Sequence, residues 1–297
     1  MRRPPTLLRY PGSKWSLAAY IALVLEENLL TGCHFYEPYA GSAAVGLSLL
    51  WEGYVNSLTL VERDPLVYAL WHSVFHDSEA LCDMIMRMDI SVEEWRRLQP
   101  LRSLDSPDPR QLVEMGAAGL FYNRTNYSGI IGAGPIGGIG QTSAYHIGCR
   151  FNREVLVTNI RALSGLGSRI SVAFGDALDF LGRQAETLTG EHAFVYLDPP
   201  YFRQGRKLYR YHYSEDDHQQ LATHILATSF PWLVSYDDHP SIRAWYRRSQ
   251  QQAVHMDYSA RVSKRGRELL ISNLHIPPLS QATGEGDLTL AAPGNAE

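Results

Sequence analysis

Phe35-Tyr36-Glu37-Pro38-Tyr39-Ala40-Gly41-Ser42-Ala43-Ala44-Val45 is the stretch on which the fold turns. The apolar run Cys33 to Tyr36 ends in an acid, Pro38 to Ser42 makes a tight glycine turn, and Ala43 to Leu50 has helical character. The order is strand, turn, helix. Upstream, Leu17, Ile21, Val24 and Leu25 recur at helical spacing and predict an amphipathic helix between Trp15 and Leu30, after the turn-forming Pro11-Gly12. Downstream, the β-branched and apolar run Leu58-Thr59-Leu60-Val61 stops at Glu62, and Pro65 to Phe75 is again helical, which completes a βαβα pattern.

The rhythm breaks at about Asp77. The first part of the next segment is helical, and 123–148 is dense in Gly, Ser, Thr and Asn, which suits a hairpin or an ordered loop. Strand patterns return at Ile170 to Phe174, Ala193 to Leu197, Pro231 to Tyr236 and Glu268 to Ser272. These features predict an α/β fold with a doubly wound sheet contributed by 1–76 and 154–275. A helical insertion with a hairpin would occupy 77–153, and 276–297, rich in Pro, Gly, Ala and Ser, is expected to be a disordered tail.

Composition narrows the function. With 297 residues, 45% of them hydrophobic, the chain can bury a core, so disordered and fibrous classes are excluded. Lys+Arg 27 against Asp+Glu 31 gives a net charge of -4, so a nucleic-acid surface would have to be a local basic patch. Cys33, Cys82 and Cys149 form neither a CxxC pair nor a zinc-finger spacing, which favours a reducing cytoplasm. No signal peptide or membrane span is legible, because the most apolar early stretch carries Glu26, Glu27 and Asn28. Asp216-Asp217-His218 and Asp237-Asp238-His239 lack the further ligands that a metal site needs.

Four apolar runs are each closed by a carboxylate: Glu37, Glu62, Asp176 and Asp198. In a doubly wound sheet the carboxyl ends of the strands line the ligand crevice, so acids there face a ligand; singly, each would read as a solvated strand end. The turn at Gly41 has neither GxGxxG nor GxxxxGK[ST] and cannot surround a phosphate with backbone N–H groups. Glu62, after the second strand, is spaced for a ribose diol. An adenosine without phosphates and with a cationic appendage suits such a cleft, and S-adenosylmethionine is that molecule.

Asp198-Pro199-Pro200-Tyr201-Phe202 follows the fourth strand. Two prolines fix φ and remove two N–H donors, leaving the Pro199 carbonyl as an acceptor beside the Asp198 carboxylate. Two adjacent acceptors match an exocyclic amino group, and Tyr201 offers a face on which a planar base could stack. An ordinary strand-to-turn exit would have the same local pattern.

These residues resemble the Dam-like DNA adenine-N6 methyltransferases, an α-group family of amino methyltransferases, across nearly all of 8–274. Arg9-Tyr10-Pro11-Gly12-Ser13-Lys14 is similar to the family's N-terminal motif, Phe35 to Val45 to its cofactor loop, and Leu197 to Phe202 to its DPPY element. Asn123-Arg124-Thr125-Asn126-Tyr127-Ser128-Gly129 resembles its target-contacting segment, and Glu268 to Asn273 its C-terminal signature. The resemblance implies a Rossmann-like fold with an inserted target-recognition domain and methyl transfer from S-adenosylmethionine to N6 of an adenine flipped out of duplex DNA. Asp198, Pro199, Pro200 and Tyr201 would be catalytic. Tyr10, Gly12, Lys14, Glu37, Gly41, Glu62, Asp176 and Asp198 would hold the cofactor, with Asp64 in reserve for the ribose.

Asn123, Arg124, Thr125, Asn126 and Tyr127 would contact DNA, joined by Arg206 and Lys207 from the basic run after the DPPY element. A second basic run, Arg261 to Arg267, precedes the last strand. The implied partner is double-stranded DNA, a cognate restriction endonuclease is compatible with the pattern, and a monomer is expected of an enzyme that modifies one strand at a time. The chain departs from the family pattern at Ala43, where glycine is usual, and at Glu62-Arg63-Asp64. Competing readings are the same chemistry on cytosine N4, an RNA base or a protein glutamine, and a non-catalytic DNA-binding relative.

Overall fold

The computed structural model describes residues 4–9, 14–203, 205, 210–259 and 263–278, without the side chains of 255–259 and 263–266. One sheet organises the chain: β1 (His34–Pro38), β2 (Ser57–Glu62), β3 (Ile170–Phe174), β4 (Ala193–Leu197), β5 (Trp232–Asp237), β6 (Gln250–Ser259) and β7 (Ser263–Ser272). Their spatial order is β3-β2-β1-β4-β5-β7-β6. β1 to β5 pair in parallel, whereas β7 is antiparallel to both β5 and β6. The strand order reverses direction between β1 and β4, and a crevice opens there at the carboxyl ends of the strands. The expected doubly wound α/β sheet is thus present, with a Rossmann-like order of its parallel strands.

The central strands are apolar on both faces because both faces are covered. Phe35, Leu58, Leu60, Phe194, Tyr196 and Leu233 point into one core, and their chain neighbours Tyr36, Val61, Val195, Leu197 and Val234 into the other. The helices are α1 (Ala18–Glu27), α2 (Ala44–Trp51), α3 (Pro65–His76), α4 (Ser78–Arg87), α5 (Val92–Arg97), α6 (Gln99–Arg102), α7 (Leu112–Thr125), α8 (Arg153–Ser164), α9 (Ala177–Gly190), α10 (Glu215–Leu226) and α11 (Pro240–Trp245). Asp64 caps α3 through Leu66 N–H at 2.9 Å, ahead of Pro65 at the first helical position. Ser214 and Asp217 form a capping box on α10.

Helices α4 to α7 lie between α3 and α8 in the chain, and α7 is fastened to α3 by close approach. A Cβ on Gly119 would stand 2.6 Å from the Leu66 carbonyl oxygen, so only glycine admits this contact. Of the hairpin or ordered loop expected over 123–148, the structure forms the loop. It is tied by one bridge between Asn126 and Pro135, and Asn123, Arg124 and Thr125 belong to the last turn of α7. Two strand readings change. β6 was not anticipated, because Gln250-Gln251-Gln252 lacks the apolar alternation of a half-buried strand. β7 starts at Ser263, so the second basic run is strand rather than a preceding loop, and Arg261 itself lies outside the described residues. No described helix is long and apolar enough to cross a membrane.

Candidate active site

Glu37 in β1, Glu62 at the end of β2, Asp176 two residues past β3 and Asp198 directly after β4 line one cleft with Lys14, Gly41 and Asp64. The cleft holds about 850 Å³ of empty space, its open mouth included. Six cofactor residues expected from the sequence, Lys14, Glu37, Gly41, Glu62, Asp176 and Asp198, are thereby brought together. Tyr10 and Gly12 lie outside the described residues.

The acids also shape the turn that forms the cleft wall. Glu62 Oε2 accepts from Gly41 N–H at 2.9 Å and Oε1 from Asp64 N–H at 2.8 Å, while the Trp71 indole donates to the Gly41 carbonyl at 2.8 Å. The turn is left-handed at Tyr39, Gly41 and Ala43, with φ of 66°, 46° and 50°. Alanine is strained in that region and glycine is not, which gives the departure at Ala43 a local cost. Glu37 Oε2 accepts from Gly46 N–H at 2.8 Å, at the start of α2. A Cβ on Gly46 would sit 2.5 Å from that oxygen and 2.6 Å from Leu58 Cδ1, so any larger residue here would push both side chains aside.

Burial pushes the Glu37 carboxyl up to about 8 and that of Glu62 up to about 7, against the backbone N–H groups that favour the charged form. A raised acid keeps its proton in the folded chain after the unfolded chain has lost it, so stability falls as pH rises. The free protein is therefore expected to melt at progressively lower temperature from about pH 4.5 to about pH 8. Glu37→Gln should flatten the upper part of that slope in thermal melts over a pH series; an unaltered slope would remove Glu37 as its source.

At the other end of the cleft, Lys14 is buried, with Nζ 3.0 Å from Asp198 Oδ1 and 3.8 Å from Glu268 Oε1. Burial lowers its pKa, but the two carboxylates outweigh that and hold the ammonium well above the usual lysine range. Lys14 Nζ donates to the Tyr201 hydroxyl at 3.1 Å, and that hydroxyl donates to Glu268 Oε1 at 3.1 Å. Ser235 Oγ, paired with the Tyr196 hydroxyl, donates to Asp198 Oδ1 at 2.8 Å. Asp237 accepts from Phe202 N–H at 2.8 Å and Arg203 N–H at 3.2 Å, which fixes the turn after Tyr201. Pro199 is buried and Pro200 lines the cleft. One face of the Tyr201 ring carries the Lys14 ammonium, 4.7 Å from the ring centre. Sequence reading missed Ser235, Asp237 and Glu268 as site residues; the available signal was that each lies near the sheet end that carries Asp198.

Three tyrosines and an arginine close the cleft from the side. The Tyr39 and Tyr213 hydroxyls bond at 2.9 Å, Arg63 pairs with Asp176 at 3.0 Å, and the Arg63 guanidinium lies 5.1 Å from the Tyr211 ring centre. Arg210 donates to the Leu104 carbonyl at 3.0 Å and to Asp105 at 3.2 Å, tying this segment to the turn after α6. Arg206 and Lys207 lie outside the described residues.

The segment expected to touch DNA is mostly turned inward. Asn123 accepts from Arg9 N–H at 2.7 Å and donates to the carbonyls of Arg9 and Gly129 at 3.0 and 2.8 Å. Arg124 donates to the Leu7 and Thr6 carbonyls, and burial lowers its pKa to about 10. Thr125 bonds the Phe121 carbonyl, and Asn126 accepts from the Trp95 indole at 2.7 Å. Among these five residues, Tyr127 is exposed. Asn123 and Arg124 thus act as a clamp on residues 6–9, the chain that leads to Lys14.

An acid-lined crevice thus opens at the switch point of a doubly wound sheet, with Asp198-Pro199-Pro200-Tyr201 at its lip. The family model for D12 class N6 adenine-specific DNA methyltransferases matches residues 10–261, and the chain belongs to that family. Among solved structures it is similar to the putative RNA methyltransferase PH1948 from Pyrococcus horikoshii, at 11% identity over 89% of this chain and 84% of that one, with a TM-score of 0.42. SMU.776, a putative methyltransferase complexed with SAH, matches at 8% identity over 85% and 47% of the chains, with a TM-score of 0.37. The rRNA methyltransferase aviRa from Streptomyces viridochromogenes matches at 11% identity over 86% and 84%, with a TM-score of 0.34. No curated protein matches the chain.

Proposed function

We propose that the protein transfers a methyl group from S-adenosylmethionine to N6 of an adenine flipped out of duplex DNA. The observation that carries this reading is the placement of Asp198 where the cleft meets the Asp-Pro-Pro-Tyr turn, directly after β4, which pairs with β1, in a chain of the D12 family. The cleft fits the donor by its chemistry: the acids Glu37, Glu62, Asp64, Asp176 and Asp198 outnumber Lys14, Arg63 and Arg210 around it and offer acceptors to a cation and its hydroxyl and amino groups, Val45, Val61 and Ala177 offer apolar surface to a purine, and the glycine turn lacks a phosphate cradle. Glu37 and Gly41 would hold the methionine end, Glu62 or Asp64 the ribose, and Asp176 the adenine amino group. When bound, S-adenosylmethionine supplies an electrophilic methyl on a sulfonium.

The chain's own work is on the nucleophile. An aromatic amine is weak because its lone pair is delocalised into the ring; N–H bonds to Asp198 and to the Pro199 carbonyl favour a more tetrahedral and more basic nitrogen. Lys14 and Ser235 hold Asp198 Oδ1, which leaves Oδ2 for the target. Orientation of this kind supplies about 7–11 kcal/mol. Extracting the base costs a few kcal/mol, offset in part by stacking on the Tyr201 face away from Lys14, at about 1–3 kcal/mol.

The test is incubation of the purified protein with labelled S-adenosylmethionine and unmethylated duplex DNA, single-stranded DNA or RNA, followed by nucleoside mass analysis. N6-methyldeoxyadenosine, formed best from duplex DNA, is expected. Label in N4-methylcytosine or confined to RNA would replace the substrate, and no label with no calorimetric binding of S-adenosylmethionine would leave a non-catalytic relative.

A further inference from the structure

Methyl transfer to a primary amine leaves a proton to be removed. The nitrogen lone pair forms the N–CH3 bond, the carbon–sulfur pair stays on sulfur, and the methylated nitrogen then carries one hydrogen too many. It becomes neutral when an N–H proton departs and the bonding pair remains on nitrogen. Asp198 is the adjacent acceptor, and the Lys14 ammonium stands 3.0 Å from its Oδ1, so a proton that arrives there has a neighbour through which it can move on.

The hydrogen bonds described above run unbroken from Asp198 to the interior: Lys14 Nζ stands 3.0 Å from Asp198 Oδ1 and donates to the Tyr201 hydroxyl, which donates to Glu268 Oε1. We infer that this chain is a proton relay in which Glu268 is the final acceptor of the proton released by methylation. This rests on the methyl-transfer reading. In the relay Tyr201 gives its hydroxyl proton to Glu268, Lys14 gives one to Tyr201, and the Asp198 carboxyl, protonated by the substrate at Oδ2, turns about its Cβ–Cγ bond and passes that proton to Lys14. Lys14 and Tyr201 end as they began, Asp198 is again a carboxylate, and Glu268 is a neutral acid that later loses its proton to solvent. Glu268 acts through Tyr201 and Lys14, not on the base itself.

The surroundings of Glu268 support the direction. It is 2% exposed, opposite Asp237 on β5 and Val254 on β6, and among the described residues Lys14, Asp198, Tyr201 and Asp237 are charged or titratable groups that act on it. Burial, helped by Asp198 and Asp237 and opposed by Lys14 and Tyr201, pushes its carboxyl up to about 7. It can take the proton only when ionised, so turnover on duplex DNA should rise with pH through about 7.

Two variants test the relay. Glu268→Gln removes the acceptor, and Tyr201→Phe keeps the stacking ring while cutting the chain. Each is expected to lower kcat on the alkaline side roughly 10²-fold, at the low end for positioned proton transfer, and to abolish the rise near pH 7. The double variant should be no slower than either single one, because both break one path. Infrared difference spectra of the free protein, wild type minus Glu268→Gln, should show a carboxyl band that vanishes as pH passes about 7. A uniform loss of kcat with the pH limb in place would assign Glu268 a packing role and overturn the relay, as would the absence of that titrating band. If the wild-type protein methylates no nucleic acid, the underlying reading fails instead.

Discussion

Asp198→Ala should abolish methyl transfer while leaving S-adenosylmethionine binding close to that of the parent protein. The side chain is 24% exposed, with Oδ1 held by Lys14 and Ser235, so its second oxygen is the part available to a target amine. Removing it takes away the acceptor that makes the nitrogen nucleophilic. The cleft wall built by Glu62, Gly41 and Trp71 does not depend on it. Loss of one preorganised polar contact at a reacting centre costs about 10²–10³ in rate, and more is expected here because the same side chain also aligns the base. Single-turnover transfer with duplex DNA, beside calorimetry with S-adenosylmethionine, separates the two effects. Transfer within a few-fold of wild type would refute the role of Asp198, and lost cofactor binding would move it to the cofactor side.

The sheet was legible because its parallel strands are short apolar runs stopped by acids, a pattern imposed by burial on both faces. For the same reason Glu37, Glu62, Asp176 and Asp198 could be placed at one ligand cleft before any coordinates. β6 was not legible because it lies at the sheet edge and begins with three glutamines. Lys14 was expected beside the cofactor and lines that cleft, but its ion pair with Asp198 joins residues far apart in the chain and left no periodic trace. The same holds for Ser235 and Glu268, whose meaning arises when β5, β7 and the turn after β4 meet. The family resemblance marks Asn123 to Asn126 as contacts for DNA, and a linear motif does not show what such side chains touch inside the fold. Buried backbone groups of irregular segments need partners, and Asn123, Arg124 and Asn126 serve the carbonyls of Arg9, Gly129, Leu7 and Ile130.

Lys14→Met should both destabilise the protein and silence it. Methionine keeps the length and apolar stem of the side chain, so the change is largely the loss of one buried positive charge lying between Asp198 and Glu268. Breaking a buried ion pair from one side costs about 3–5 kcal/mol, because the remaining charge stays desolvated; the low end, about 3 kcal/mol, fits the partial exposure of Asp198. The cost should depend on pH with a definite sign. Lys14 lowers the Glu268 carboxyl, so its removal moves that group above its present value of about 7. An acid raised further in the folded state opposes folding more as pH increases, so the variant should lie nearest the parent in acid and fall behind through neutral pH, levelling off above the new value. Thermal melts of both proteins over a pH series would show a widening gap. A gap that stayed constant or narrowed with rising pH would mean that Lys14 does not compensate Glu268. Methyl transfer should be lost at every pH, because Asp198 loses the ammonium that holds Oδ1, and Tyr201 its bridge.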